Sequence, residues 1–190
     1  MLPDYGRTAD ALMPFVLDDE EALVYNQKSL EKFVSHISSA VYNNIYASGL
    51  YPDKRDKIRG FRFVLDVFKL LYGDGVYPMQ IYQVNMFCTM LAGFYAEEGE
   101  AAKAFECLTE ALNNCVKYKN CADNNFKGPN ASFLLNKVMY DNYNDYSGCT
   151  VKDNFESLLY SLKKPSFDAL RNDPRFAELE EALKRHTLPA

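Results

Sequence analysis

The sequence predicts an all-α protein built from antiparallel helix pairs. Over most of the chain, apolar residues recur at the three- and four-residue spacing of amphipathic helices. Glycine, or aspartate next to proline, separates one such segment from the next. Because no alternating apolar and polar pattern reaches the length of an ordinary strand, we expect about eight or nine helices and no sizeable sheet.

The first two helices are predicted on either side of Gly49. Residues 20–48 carry one apolar stripe, which indicates a long helix or two abutting helices: Leu30, Phe33, Val34, Ile37, Val41 and Ile45. Asp18 and Asp19 are candidate N-caps for this helix. The second helix follows Pro52 and ends at Gly73, and Gly60 within it would let a partner helix approach closely.

The clearest helix pair lies within residues 86–111. Its residues combine small and large apolar side chains around a glycine turn: Leu91, Ala92, Tyr95, Gly99, Ala104, Leu108 and Ala111. A small residue on each helix lets the two backbones pack closely, and the larger residues fill the space beside them. This pattern resembles a tetratricopeptide (TPR) repeat, although Val116 stands where a proline usually closes such a repeat. The resemblance implies a TPR-like α-α superhelix, which is a binding architecture.

The last third of the chain is predicted to alternate loops and short helices. Residues 119–130 are polar and indicate a loop. Residues 131–140 indicate a short helix with four residues turned inward: Phe133, Leu134, Val138 and Met139. Thr150 and Asp153 resemble a capping box at the start of the next helix. Asp173, followed by proline, starts the final amphipathic helix.

Composition and charge exclude several functional classes. Hydrophobic residues make up 48% of the chain and charged residues 25%, which is typical of a globular protein. The net charge of −5 argues against a standalone nucleic-acid binder. There is no membrane-spanning apolar run and no signal-peptide pattern at the N-terminus, and the five cysteines form no disulfide framework. We therefore expect a cytoplasmic protein with no membrane association.

The sequence contains no recognisable catalytic or metal-binding motif. Nucleophile elbows, glycine-rich phosphate loops and zinc-protease signatures are all missing from the printed sequence. Its two histidines, His36 and His186, stand far apart and have no paired ligands nearby. We therefore predict no enzymatic activity, no cofactor and no metal.

Three longer segments carry a second resemblance. Residues 70–100 and 131–148 are similar to the C-terminal region of XRE-family helix-turn-helix transcriptional regulators of Gram-positive anaerobes, and residues 166–186 resemble the terminal cap of bacterial repeat proteins. In that family a DNA-binding domain precedes this region, and no such domain is recognisable here. The resemblance divides the chain into an N-terminal segment or linker, residues 1–17, and a TPR-like helical repeat domain, residues 18–190. It implies an effector-sensing and dimerisation domain that reaches DNA only through a missing N-terminal helix-turn-helix domain.

Tyrosine and asparagine are the best candidates for effector contacts. Tyrosine offers apolar area with a hydroxyl group, and asparagine offers a donor and an acceptor to a peptide backbone. By analogy with repeat-containing regulators that read short peptides, the candidates are Tyr82, Asn85, Asn113 and Asn136. The plainer interpretation is that each has a structural role in a helix. The alternative function is a TPR-like protein-interaction scaffold unrelated to DNA, and a homodimer is compatible with either function.

Overall fold

The computed structural model describes residues 18–47, 49–73, 76–77, 80–124, 128–140 and 151–187. This part of the chain forms six α-helices: α1 Asp19–Tyr42, α2 Lys54–Tyr72, α3 Ile81–Glu97, α4 Ala101–Asp123, α5 Val151–Ser161 and α6 Pro174–Thr187. A π-helical turn, Asn43–Ala47, extends α1, and a 3-10 helix, Pro165–Leu170, precedes α6. Two short antiparallel strands, β1 Gly128–Pro129 and β2 Met139–Tyr140, complete the described elements. The described part of the chain is thus mostly helical, as predicted, and its sheet has only two short strands.

Local capping interactions explain where several helices begin and end. The Asp18 side chain accepts hydrogen bonds from the backbone N–H groups of Glu20 and Glu21, which confirms it as the N-cap of α1. Asp173 accepts in the same way from the backbone of Arg175 at the start of α6. Gly73 follows α2 with a φ of 62°, a left-handed conformation that glycine adopts without steric cost. Each of these caps was recognisable in the sequence.

The predicted helix pair forms as α3 and α4. Ala92 and Ala104 are completely buried where the two helices meet. Gly99 lies between the helices with a φ of 76°, and its N–H donates to the carbonyl of Ala96 while that of Glu100 donates to Tyr95. These two bonds form a Schellman motif, which satisfies the last carbonyls of α3 and reverses the chain.

Helix α3 lies at the centre of the fold. It packs against α2, α4, α5 and the 3-10 helix, and α5 and α6 pack against each other. Large, fully buried side chains come from α2, α3, α4, α5 and the 3-10 helix: Phe61, Phe68, Tyr72, Phe87, Leu91, Leu108, Tyr118, Phe155 and Phe167. Helix α6 adds the buried Phe176, Leu179 and Leu183. The core is therefore continuous from α2 through α3 and α4 to the C-terminal helices.

Helix α1 packs against this core with a largely polar face. Its buried residues are Gln27, Glu31, Val34 and Ser38. In contrast, Leu30, Phe33 and Ile37 of the predicted apolar stripe are exposed. The polar face is buried because partners distant in sequence satisfy it, since Glu31 accepts hydrogen bonds from the hydroxyl groups of Tyr72 and Tyr140.

Residues 131–140 do not form the predicted short helix. They fold as successive turns that lead into β2, and Phe133 and Met139 point outward instead of inward. Val138 is buried, as predicted, and Leu135 is buried as well. The turn conformation is stabilised by Asn130, whose side chain accepts from the backbone N–H of Ser132. Residues 1–17 and the predicted cap residue Thr150 lie outside the described residues.

None of the described helices combines the length and the apolar character needed to cross a membrane.

Candidate functional site

A cleft opens between α1, α3 and α5, which are the first helices of three successive helix pairs. Its volume is about 200 Å³, and its principal lining residues are Tyr42, Tyr46, Tyr82, Asn85, Thr89 and Ser157. Its tyrosines come from α1, the π-helical turn and α3, and its small polar residues come from α3 and α5. This combination of apolar rings and hydrogen-bonding groups is typical of a recognition site.

The aromatic side of the cleft depends on the π-helical turn. Ile45 of that turn packs on Gly60 of α2, where an added Cβ would lie 2.1 Å from the Ile45 Cδ1 atom. This close approach brings the Tyr46 ring to 5.4 Å from Tyr42 and 6.4 Å from Phe94, measured between ring centroids. The predicted close contact at Gly60 is therefore made, and it positions an aromatic wall.

A smaller cavity continues the cleft along α3. It has a volume of about 120 Å³ and shares Tyr46, Thr89, Met90 and Lys164 with the first cavity. The two cavities together form a groove, which we call the α3 groove, that follows α3 from Tyr82 to Glu97. A helix of this length spans about 25 Å, so the groove can accommodate several residues of an extended chain.

Gly93 lets the 3-10 helix pack against α3 at the end of the α3 groove near Glu97. A Cβ at this position would lie 3.1 Å from the Oγ atom of Ser166 in the 3-10 helix. The absence of a side chain thus lets the 3-10 helix pack directly on α3. This packing places Lys164, the residue before that helix, at the junction of the two cavities.

The charges of the α3 groove are concentrated at this end. Glu97 pairs with Lys54 at 2.9 Å, so its charge is already compensated. Lys164, in contrast, forms no ion pair with any residue in the described part of the chain. Its ammonium group is available to an acidic group of a bound molecule.

The structure brings together two of the four predicted effector contacts. Tyr82 is 49% exposed and lines the α3 groove beside Asn85. Asn113 lies on α4 in a separate broad depression, and Asn136 lies in the turns before β2, where it accepts a hydrogen bond from Gln27 at 3.0 Å. The four residues therefore do not form one site.

Asn85 is largely committed to the interior of the fold. Its Nδ2 atom lies 3.0 Å from the Sγ atom of Cys115, and its Oδ1 atom accepts from Asn114 at 3.4 Å. These contacts join α3 to α4. Both ends of the Asn85 amide therefore already have partners within the fold, in agreement with a structural role. Tyr82 is the more accessible of the two residues.

Several lining residues could not be identified from the sequence. Tyr42 and Tyr46 face the groove because of the π-helical turn, and Lys164 reaches it because the 3-10 helix packs on Gly93. Both features arise from tertiary packing. The one local signal was Gly60, which indicated a close contact but not its partner.

Two buried cysteines of the described residues, Cys107 and Cys115, have thiols of low reactivity. No group of three or more histidine, cysteine, aspartate or glutamate side chains in the described part of the chain is arranged to hold a metal ion. Burial raises the pKa of the Cys107 thiol to about 11 and that of the Cys115 thiol to about 12, although the hydrogen bond from Asn85 opposes the second shift. Both thiols are therefore protonated at neutral pH and are poor nucleophiles.

Comparison of the chain with protein-family models, curated proteins and solved structures found no match.

Proposed function

We propose that the α3 groove binds an extended peptide or a segment of a protein partner. The observation that carries this proposal is the position of the groove on the first helices of three successive pairs. In a TPR-like superhelix these helices line the concave face, which is the surface that such proteins use for binding. The all-α architecture and the close α3–α4 pair support the superhelix interpretation.

The chemistry of the groove suits a peptide. Tyr42, Tyr46 and Tyr82 offer apolar surface with hydroxyl groups at the edges, while Thr89 and Ser157 add small hydrogen-bonding groups. These groups match the alternation of side chains and backbone amides in an extended chain. Lys164 would then pair with an acidic side chain or with a terminal carboxylate.

The binding test uses the purified chain and a phage-displayed library of random heptapeptides. A selected peptide is labelled with fluorescein, and its Kd is measured by anisotropy. We expect Tyr82→Ala to weaken binding by about tenfold or more, because an aromatic anchor at such a site contributes about 1–3 kcal/mol. Tyr160→Ala is the matched control, since Tyr160 lies on α5, is 69% exposed and does not line the groove. Equal weakening by both substitutions, or no selected peptide, would contradict the proposal.

We further propose that the chain serves as the effector-sensing and dimerisation domain of a transcriptional regulator. The support is the resemblance of residues 70–100 and 131–148 to XRE-family regulators, together with a groove able to take an effector. DNA contact would come from a helix-turn-helix domain in the same protein. The reading frame upstream of residue 1 tests this proposal: a basic helix-turn-helix there supports it, and its absence favours a scaffold unrelated to DNA.

A further inference from the structure

A second cavity lies beside the middle of α1 and is separate from the α3 groove. Its volume is about 390 Å³, and its polar lining residues are Lys28, Glu31, Lys32, Ser35, His36, Gln80 and Tyr140, with Val138 and Met139 adding apolar surface. Its wall combines one helix with the segment that enters β2 and with the residue before α3. Elements distant in sequence thus enclose a space the size of a small organic molecule.

A buried carboxylate forms the floor of this cavity. Glu31 is 4% exposed, and its Oε1 atom accepts hydrogen bonds from the hydroxyl groups of Tyr72, at 2.7 Å, and Tyr140. A phenol has one proton, so Tyr72 cannot also donate to Gln80. The Tyr72–Gln80 contact is satisfied when the Gln80 amide turns its NH₂ group to the Tyr72 oxygen.

The second oxygen of this carboxylate is available. No hydrogen bond from a described residue ends on the Oε2 atom of Glu31. A buried carboxylate is costly unless donors or a cation compensate it. The Tyr72 hydroxyl keeps its proton, because burial and the nearby Glu31 raise the pKa of Tyr72 well above its usual range. The two tyrosine hydroxyl groups therefore hold the Glu31 carboxylate in place through its Oε1 atom. Among the described residues, the Oε2 atom receives no hydrogen bond, so it can accept one from a ligand.

The mouth of the cavity carries the opposite charge. Lys28 lies about one helical turn before Glu31, and Lys32 is the next residue after it. Both lysines are exposed, and neither forms an ion pair within the described ranges. The buried Val138 contributes apolar surface on the facing wall. The two lysines would repel a simple cation, and the buried carboxylate would repel a simple anion.

We infer that this cavity binds a free amino acid with an apolar side chain. Its ammonium group donates to the Oε2 atom of Glu31, its carboxylate pairs with Lys28 and Lys32, and its side chain packs near Val138. A zwitterion is the class of ligand that satisfies both charged ends of the cavity at once. This inference does not depend on the peptide-binding function proposed for the α3 groove.

The experiment measures the melting temperature of the full chain with L-leucine, N-acetyl-L-leucine or L-leucinamide. We expect about 10 mM L-leucine to raise the melting temperature by about 5 °C if that concentration is about 100 times the Kd. The two analogues lack the ammonium group or the carboxylate, respectively, and each should lose most of this shift. No shift with L-leucine, or an equal shift with N-acetyl-L-leucine, would overturn the inference.

Two variants and one control locate the binding. Glu31→Gln keeps the side-chain shape and an acceptor for the tyrosines but removes the charge, so the shift should disappear. Because this buried substitution can also impair folding, the exposed double variant Lys28→Gln/Lys32→Gln provides an independent test, with binding weakened about tenfold in calorimetry. Glu178→Gln on α6 is the exposed control and should behave as the unchanged protein. An undiminished response in the double lysine variant would place the amino acid elsewhere.

Discussion

Ala92 and Ala104 determine how closely α3 and α4 approach. Both are completely buried, so extra methylene groups have no space. We predict that Ala92→Leu or Ala104→Leu lowers the free energy of unfolding by about 1–3 kcal/mol through overpacking. Urea denaturation measures this change. Ala102→Leu is the matched control. Ala102 lies on α4, as Ala104 does, but it is exposed, so its substitution should have little effect. A similar loss in all three variants would show that overpacking between the helices is not the cause.

The buried thiols predict a loss of stability in alkali. The pKa values of Cys107 and Cys115 are about 11 and about 12 in the folded chain, against an ordinary value of 9.0. Between about pH 9 and these values, the unfolded chain releases thiol protons that the folded chain retains, so the free energy of unfolding falls as pH rises. We expect the melting temperature to decline from about pH 9 upward. Cys115→Ala should reduce the slope of that decline, and an unchanged slope in this variant would contradict the assignment.

Residue type alone predicts only part of the α3 groove, namely Tyr82 and Asn85. Tyrosine combines apolar area with a hydroxyl group, and Tyr82 lines the groove, as this chemistry predicts for an effector contact. Asn85 lies there too, but its amide is bonded to α4. The analogy with peptide-reading regulators also indicates Asn113 and Asn136, but these two residues lie elsewhere. Residue type indicates what a side chain can bind, whereas its neighbours decide whether the side chain is accessible.

Gly99 is the position on which the α3–α4 turn depends most. An added Cβ would meet no atom within 4 Å, so substitution would act only through the positive φ. We predict that Gly99→Ala lowers the free energy of unfolding by about 1 kcal/mol, and that Gly99→Asn costs less because asparagine tolerates this conformation better. Thermal unfolding of the two variants measures the difference. Equal stability of Gly99→Ala and the unchanged chain would contradict a left-handed turn at this position.

Helix positions were predictable where local signals determine them. Asp18, Gly73, Gly99 and Asp173 act as caps or turns because of side-chain or backbone properties that are visible in a few neighbouring residues. These signals predicted the starts of α1 and α6 and the ends of α2 and α3. The end of α4 was predicted wrongly, because this helix continues to Asp123, into the segment 119–130 that was expected to be a loop. Local signals could not predict which face of a helix would be buried.

The orientation of α1 and the path of residues 131–140 depend on each other. Gln27 accepts from the backbone N–H of Lys137 at 2.7 Å, and Glu31 accepts from Tyr140, across more than 100 residues in each case. Hydrophobic periodicity cannot detect such pairs, because it treats glutamine and glutamate as solvent-facing residues. Long-range polar contacts therefore turn the apolar stripe of α1 outward.

The charge of the whole chain argues against binding of duplex DNA by this chain alone. Part of the basic cluster at the start of α2 already has partners within the chain: Lys54 pairs with Glu97, Arg59 pairs with Asp56, and Arg62 lies 5.6 Å from the Tyr95 ring centre. With a net charge of −5, no strong counterion release is expected. We predict no gel shift of duplex DNA by this chain at micromolar concentration in low salt. A shift that disappears as salt rises would contradict this prediction.

The outward stripe of α1 predicts a homodimer. Leu23, Leu30 and Ile37 recur every seven residues, and Phe33 lies on the same side of the helix. This spacing is that of a helix seam, and a second copy presents the same seam, so two α1 helices can pair about a two-fold axis. An exposed apolar row of this kind also marks an interaction surface on general grounds.

Analytical ultracentrifugation tests the dimer across a range of concentrations. We expect Phe33→Lys to raise the dimer dissociation constant by about tenfold or more, because it places a charge in the centre of an apolar interface. Leu70→Lys is the control, since Leu70 is 76% exposed on α2 and lies away from the stripe. A monomer at every concentration would exclude the dimer. If instead Phe33→Lys leaves a dimer intact, the subunits associate through another surface, and the stripe on α1 must be covered in some other way.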